Sequence, residues 1–134
     1  MIGATAAVAL AALGVTLFRS GGSGEYLHVS LAPTRLALGS TGRATLKKTP
    51  SGWRIELHAR GLPRLANGRF YEAWLRSSAG TLVPLGTFND GRKVTLWAGV
   101  SPTEFPTLIV TRERADGAQT SSGEQVLVGK LTSR

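Results

Sequence analysis

Along most of the chain, apolar and polar residues alternate with a period of two. In residues 53–60 every odd position is apolar and every even position is polar. Because successive side chains of a β-strand point to opposite faces, this pattern predicts a strand with one face in the core and one in water. Similar short runs predict seven further strands, at residues 26–31, 43–47, 70–76, 81–88, 93–97, 107–113 and 125–131.

Turn residues separate these runs, for example Asn67-Gly68 and Asp116-Gly117, and they tolerate the positive φ that tight turns need. No amphipathic helix separates the strands. The pattern therefore predicts an all-β fold over residues 25–134, an antiparallel Ig-like or Greek-key β-sandwich of about eight strands. Pro84 lacks a backbone N–H and should lie on an edge strand or at a bulge. The predicted core is Trp53, Ile55, Leu57, Tyr71, Ala73, Leu75, Leu96, Leu108 and Val110.

The N-terminal segment has a different pattern. Residues 2–18 carry no charge and are mostly Ala, Leu and Val. A helix of this length is about 25 Å long, at the short end for a hydrocarbon core of about 30 Å. We predict a transmembrane helix over residues 1–19, in contact with membrane lipid through residues 2–18. Residues 20–24, Ser-Gly-Gly-Ser-Gly, predict a flexible linker.

Two other interpretations of this segment are a signal sequence and a buried core helix. A signal sequence normally begins with positive charge, and no Lys or Arg precedes the apolar run. A core helix of a soluble protein normally has a polar stripe, which is also missing. Arg19 follows the segment and favours a cytoplasmic C-terminal side, but long domains cross membranes largely regardless of charge. The charges therefore leave the orientation open.

Charge and composition add a few constraints. Sixteen basic residues against eight acidic ones give a net charge of +8, spread along the chain without a long basic block. A dispersed excess favours any polyanion without specifying one, so we expect a solvated surface beside an anionic membrane and no specific nucleic acid partner. The chain has no cysteine, which excludes disulfides, zinc–thiolate sites and a cysteine nucleophile.

Residues that could support catalysis are few. His28 and His58 occupy polar positions of alternating strands, and no metal-ligand spacing includes them. No G-x-S-x-G or S-x-x-K motif activates a serine. We therefore expect no catalytic residue, no cofactor, no metal site and no enzyme activity. Two further possibilities are open. A carboxylate pair could be drawn from Glu72, Glu104 and Glu113, and Phe70 and Trp74 could form an aromatic stacking platform instead of lying in the core.

Five short segments occur in a recognisable order. They are Gly61-Leu62-Pro63, residues 70–75 (FYEAWL), residues 85–88 (LGTF), residues 110–113 (VTRE) with Asp116-Gly117, and residues 126–129 (VLVG). In order and spacing they resemble the C-terminal domain of the anti-sigma-K factor family, over roughly residues 30–131. The motif residues, which the resemblance implies are structural, are Tyr71, Trp74, Leu75, Gly86, Phe88, Thr111, Glu113 and Gly117.

The resemblance implies a single-pass protein of the bacterial plasma membrane with an extracytoplasmic β domain. In such regulators a cytoplasmic domain holds an extracytoplasmic-function sigma factor, and regulated proteolysis by a membrane protease releases it. Members usually carry an N-terminal helical domain, often with a histidine–cysteine zinc motif, and neither is found here. A sigma factor would then be reached only through a missing or separate domain. The alternative function is a membrane-tethered cationic module that binds cell wall or another anionic polymer.

Overall fold

The computed structural model describes residues 15–19 and 25–131, and almost all regular structure in them is β-strand. One short 3-10 helix, Arg35–Ala37, follows the second strand. The strands are β1 (Val15–Arg19), β2 (Glu25–Pro33), β3 (Thr41–Thr49), β4 (Gly52–Arg60), β5 (Arg69–Arg76), β6 (Leu82–Phe88), β7 (Val94–Ala98), β8 (Thr107–Arg114) and β9 (Gln125–Lys130).

All neighbouring strands are antiparallel, and they follow one hydrogen-bonded path in the order β6-β5-β8-β9-β2-β3-β4-β7, with β1 added beside β2. Strand β2 belongs to two sheets. Its residues 26–31 pair with β3, whereas Ala32 and Pro33 pair with β9. We call β1, β2, β3, β4 and β7 sheet A, and β6, β5, β8, β9 and the end of β2 sheet B. Because β6 and β7 at the two ends of the path also lie against each other, the structure approaches a barrel.

The core lies between the two sheets and is built from alternate residues of their strands. Of the nine predicted core residues, eight are buried, from Ile55 to Val110. Trp53 is half-buried and packs against the edge of the core. The predicted one-sided burial of β4 is confirmed, because Ile55, Leu57 and Ala59 are buried between more exposed polar neighbours. The alternation of apolar and polar residues along β4 therefore identifies the face of this sheet that is buried.

The all-β antiparallel class is confirmed, and the eight predicted strands correspond to β2–β9. The finer prediction of an Ig-like Greek-key sandwich stays a prediction, because the continuous path bends towards closure. Pro84 lies on β6, at one end of the path, where the β5–β6 register also shifts between Ala73 and Trp74. Pro84 therefore lies both on an edge strand and at a register shift, which are the two positions expected for a proline in a sheet.

The end of the predicted transmembrane helix is a strand instead. Residues Val15–Arg19 form β1, with Val15 opposite Val29 and Arg19 opposite Glu25 of β2. The helix prediction is therefore wrong for these five residues. Their sequence, Val-Thr-Leu-Phe-Arg, is rich in β-branched and aromatic types that favour strands, and the edge of β2 offers them backbone partners. The rest of the predicted helix, residues 1–14, and the predicted linker, residues 20–24, lie outside the described residues.

No helix within residues 15–19 and 25–131 is both long and apolar enough to cross a membrane.

The two sheets meet where β9 passes close to β2. A Cβ atom added at Gly129 would lie 2.5 Å from the Ser30 carbonyl oxygen and 3.0 Å from Leu31 Cγ. The first distance is shorter than any ordinary contact between these atom types, and backbone cannot move aside as a flexible side chain can. Glycine at this position therefore allows β9 to pack against β2.

We expect Gly129→Ala to lower the free energy of unfolding by about 1–3 kcal/mol, as overpacking of a well-packed interior does. Urea unfolding of the full chain, followed by tryptophan fluorescence, measures the change. Gly99→Ala is the matched control, since an added Cβ at Gly99 has no neighbour within 4 Å. Equal effects of the two substitutions would contradict the close-packing account.

Candidate functional site

Three motif residues lie on the side of sheet B that faces away from the main core. Strand pairing places Trp74 opposite Ile109, Glu72 opposite Thr111 and Phe70 opposite Glu113. Despite this outward position, Trp74 is only 3% exposed, Thr111 1% and Glu113 6%. A buried polar group is costly unless it is hydrogen-bonded, so the partners of these side chains decide their role.

Hydrogen bonds connect these three residues to a loop. The Trp74 Nε1–H donates to Thr111 Oγ1 at 2.9 Å, and the Thr111 hydroxyl donates to Glu113 Oε2 at 2.5 Å. The backbone N–H of Ser122 donates to the same carboxylate, at 3.1 Å from each oxygen. We call these four residues the Trp74–Glu113 chain. Its polar groups satisfy one another, and it fastens the loop before β9 onto β8.

The remaining motif residues also serve the fold. The Tyr71 hydroxyl donates to the Pro63 carbonyl oxygen at 2.5 Å, and its ring stacks on Phe88 with centroids 5.5 Å apart. Leu75 is fully buried in the core. Gly86 has a φ of 149° and lies opposite Ala73 where the β5–β6 register shifts. Gly117 has a φ of 83° in the turn after β8. The structure therefore brings Trp74, Thr111 and Glu113 together, and separately Tyr71 and Phe88.

Sheet A presents a different outward face, which is wet and cationic. At one end, a groove of about 650 Å³ is lined by Arg43, His58, Arg60 and Arg92. An adjoining depression of about 420 Å³ shares Arg60 and Arg92 and adds Arg64. We call the two together the arginine groove. His58 is positioned there because its Nδ1 donates to the Arg92 carbonyl oxygen at 3.0 Å.

One carboxylate lies at the arginine groove. Asp90 pairs with the Arg92 guanidinium at 2.5 Å, and the hydrogen bonds from Arg92 lower the pKa of Asp90 to about 2. Arg43 and Arg60 form no ion pair within the described part of the chain. Two guanidinium groups at this end of the sheet therefore have donors to offer an anion.

A row of side chains, which we call the aromatic row, crosses the other end of the same face. Strand register aligns Tyr26 with Lys47, Lys47 with Arg54, and Arg54 with Trp97. Trp97 is 51% exposed. Trp74 is buried outside the main core cluster and Phe70 is half-buried, so Trp74 does not offer an exposed ring for stacking. Trp97 was missed as an exposed aromatic, although its position next to the predicted core residue Leu96 implied an outward side chain.

Metal binding finds no support in this part of the molecule. Across residues 15–19 and 25–131, no three His, Cys, Asp or Glu side chains are grouped so that they could hold a metal ion. His28 instead has its Nδ1 3.1 Å from Thr45 Oγ1.

Comparison with protein families adds the decisive observation. A family model described as anti-sigma-K factor rskA, C-terminal, matches residues 1–125. The chain belongs to the anti-sigma-K factor C-terminal family. The match confirms the resemblance but starts earlier than the expected residue 30, so it includes the apolar N-terminal segment and ends at the first residue of β9. No curated protein and no solved structure matches the chain.

Membership in the anti-sigma-K family implies a regulatory role as an anti-sigma factor. Members of the family are regulatory and not typically enzymes. In this anti-sigma-K C-terminal domain, the motif residues Trp74, Thr111 and Glu113 are buried and hydrogen-bonded to one another.

A second carboxyl group lies beside the Trp74–Glu113 chain. Partial burial raises the pKa of Glu72 above its ordinary value of 4.5, and the neighbouring Glu113 raises it further. Glu72 and Glu113 are therefore close enough to interact. Glu113 is occupied by the donors of the chain, however, which argues against a catalytic pair.

We expect Thr111→Val to lower the free energy of unfolding by about 1–3 kcal/mol, because it leaves the Trp74 N–H and one Glu113 oxygen buried without that partner. Urea unfolding measures the change. Thr95→Val is the matched control, since Thr95 donates to Glu56 at 2.9 Å in an exposed bond, and surface substitutions usually change stability by less than about 0.5 kcal/mol. Equal losses would show that the buried chain does not stabilise the domain.

The raised pKa of Glu72 makes stability depend on pH. The carboxyl group supports folding fully below its ordinary pKa of 4.5 and loses that contribution as pH rises through the raised value. We expect Glu72→Gln, which stays neutral, to be more stable than the parent at about pH 7 and equally stable at about pH 3.5. Urea midpoints at both pH values test this, with the exposed Glu104→Gln as control. A difference independent of pH would contradict the assignment.

Proposed function

We propose that this chain is the membrane-anchored, extracytoplasmic half of an anti-sigma-factor regulator in the bacterial plasma membrane. It would take part in controlling an extracytoplasmic-function sigma factor by relaying a signal, without catalysing a reaction. The observation that carries the proposal is the family match over residues 1–125, which covers the apolar segment and the β domain as far as the first residue of β9. In this proposal the apolar residues before β1 contact membrane lipid.

The proposed mechanism centres on residues 20–24. Strands β1 and β2 pair in antiparallel register from Arg19 opposite Glu25 to Val15 opposite Val29, so they hold both ends of this segment about 4.8 Å apart. The segment consists only of Ser and Gly, and short connections of small polar residues are preferred sites of proteolysis. A change of state in the β domain would alter access of a membrane protease to it. Cleavage would then release a sigma factor held by a cytoplasmic domain of the regulator.

The alternative function, a tethered cationic module for cell wall or another anionic polymer, is not favoured by the family match. Such a module could use arginines such as Arg54, Arg60 and Arg76, but these three do not form one surface. Arg54 and Arg60 both lie on the wet side of β4 in sheet A, whereas Arg76 ends β5 in sheet B. Replacing these three arginines together would therefore test overall charge and not a single site.

We expect Gly22→Pro to reduce cleavage of the full chain in membranes of its host, because proline restricts the backbone of the segment that the protease must bind. Immunoblotting of a C-terminally tagged chain measures the processed fraction. Gln119→Pro, in an exposed loop after β8, is the matched control and should leave processing unchanged. If processing is indifferent to Gly22→Pro, the proposed mechanism is wrong.

A further inference from the structure

We propose that the outward face of sheet A binds an acidic polysaccharide, a chain of sugar rings that carry anionic groups. The binding surface runs from the aromatic row at Trp97 to the arginine groove. This goes beyond the proposed function, which names no ligand, and rests on it only for the outer location of the β domain. Direct binding to the purified chain does not require a sigma factor or a protease, so its outcome is separate from that of the cleavage experiment.

The charge of this face calls for an anionic partner. Among the described side chains, two carboxylates, Glu56 and Asp90, lie on this face or at its edge. Six cationic side chains accompany them: Arg43, Lys47, Arg54, Arg60, Arg64 and Arg92. Each carboxylate already pairs with one arginine, Glu56 with Arg54 and Asp90 with Arg92. The remaining excess would attract and hold a polyanion, since guanidinium groups bind carboxylates and phosphates through paired N–H donors.

Two cations lie side by side in the aromatic row. Lys47 and Arg54 are direct partners across β3 and β4, and like charges placed opposite each other destabilise a sheet. The Lys47 ammonium lies 5.5 Å from the centre of the Tyr26 ring, and Arg54 contacts Glu56 at 2.5 Å. These contacts offset part of the repulsion. An anionic group bound between the two cations would offset the rest.

Trp97 supplies the second kind of contact. Its side chain is 51% exposed and lies beside Arg54 in the same row. A flat, exposed aromatic ring offers an apolar face that the C–H side of a sugar ring covers, and covering it removes apolar surface from water. An aromatic ring next to cations therefore matches a ligand with both a sugar ring and a negative charge.

The layout of the face indicates a polymer more than a single sugar. Arg54, Glu56, His58 and Arg60 occupy alternate positions of β4, and six residues of extended strand cover about 20 Å. A ligand that contacts both Trp97 and the arginine groove must reach across this distance. The choice of a polysaccharide over single-stranded nucleic acid, which also joins stacking rings to anions, rests on the proposed extracytoplasmic location.

The test is titration of the full 134-residue chain in phosphatidylcholine nanodiscs with polygalacturonate, followed by calorimetry. Dextran is the uncharged sugar control, and polyphosphate and oligothymidylate are the polyanions without acidic sugar rings. We expect saturable binding of polygalacturonate that weakens at high salt and is tighter than binding of the other three probes. Absence of binding at low salt, or tighter binding of any of the other three, overturns the proposal.

Substitutions locate the surface. We expect Trp97→Ala, and separately Arg43→Gln with Arg60→Gln, each to weaken polygalacturonate binding about tenfold, the loss expected for a strong charge-assisted or stacking contact. Trp97→Tyr keeps a ring and should retain most of the affinity. The matched control is Arg76→Gln with Arg114→Gln, which removes the same charge from sheet B. If that control weakens binding as much, or Trp97→Ala has no effect, binding is a general charge effect and the proposal is wrong.

Discussion

The structure depends on the sharing of one strand between two sheets. Strand β2 pairs with β3 through residues 26–31 and then with β9 through Ala32 and Pro33, so neither sheet can form its full core without it. Gly129 allows the close passage of β9 on which this arrangement rests. Without a cysteine in the chain, the two sheets are held by apolar burial and these backbone contacts. The same strand carries β1 on its edge.

The two outward faces of the molecule differ in the exposure of their side chains. On sheet B, polar motif residues are buried and hydrogen-bonded to one another, as in the Trp74–Glu113 chain, so they hold the loop before β9. On sheet A, cations and one large aromatic side chain are exposed to water. The motif residues that resemble the family therefore belong to the scaffold of the domain.

Much of the fold could be predicted from the sequence, because alternation along β4 and its neighbours states directly which side chains are buried. Pro84 likewise indicated an edge strand from the chemistry of its backbone alone.

Strand order could not be predicted, since the pairing of β2 with both β3 and β9 depends on contacts far apart in the chain. Strand β1 was missed because Val15–Arg19 continues an apolar run, and apolar residues suit a helix in lipid as well as a strand on a sheet edge. The motif residues were found by resemblance, but the hydrogen bonds that join Trp74, Thr111 and Glu113 needed coordinates. The exposure of Trp97 followed from its position beside Leu96 and was overlooked.

We propose that the β domain of this anti-sigma-K family member lies on the outer side of the plasma membrane. Reporter fusions at Arg134 test this location, with alkaline phosphatase in one fusion and a fluorescent protein that matures only in the cytoplasm in the other. An outer location predicts phosphatase activity and no fluorescence. Fluorescence without phosphatase activity would place the domain in the cytoplasm, in agreement with the single charge of Arg19, and would contradict the claim.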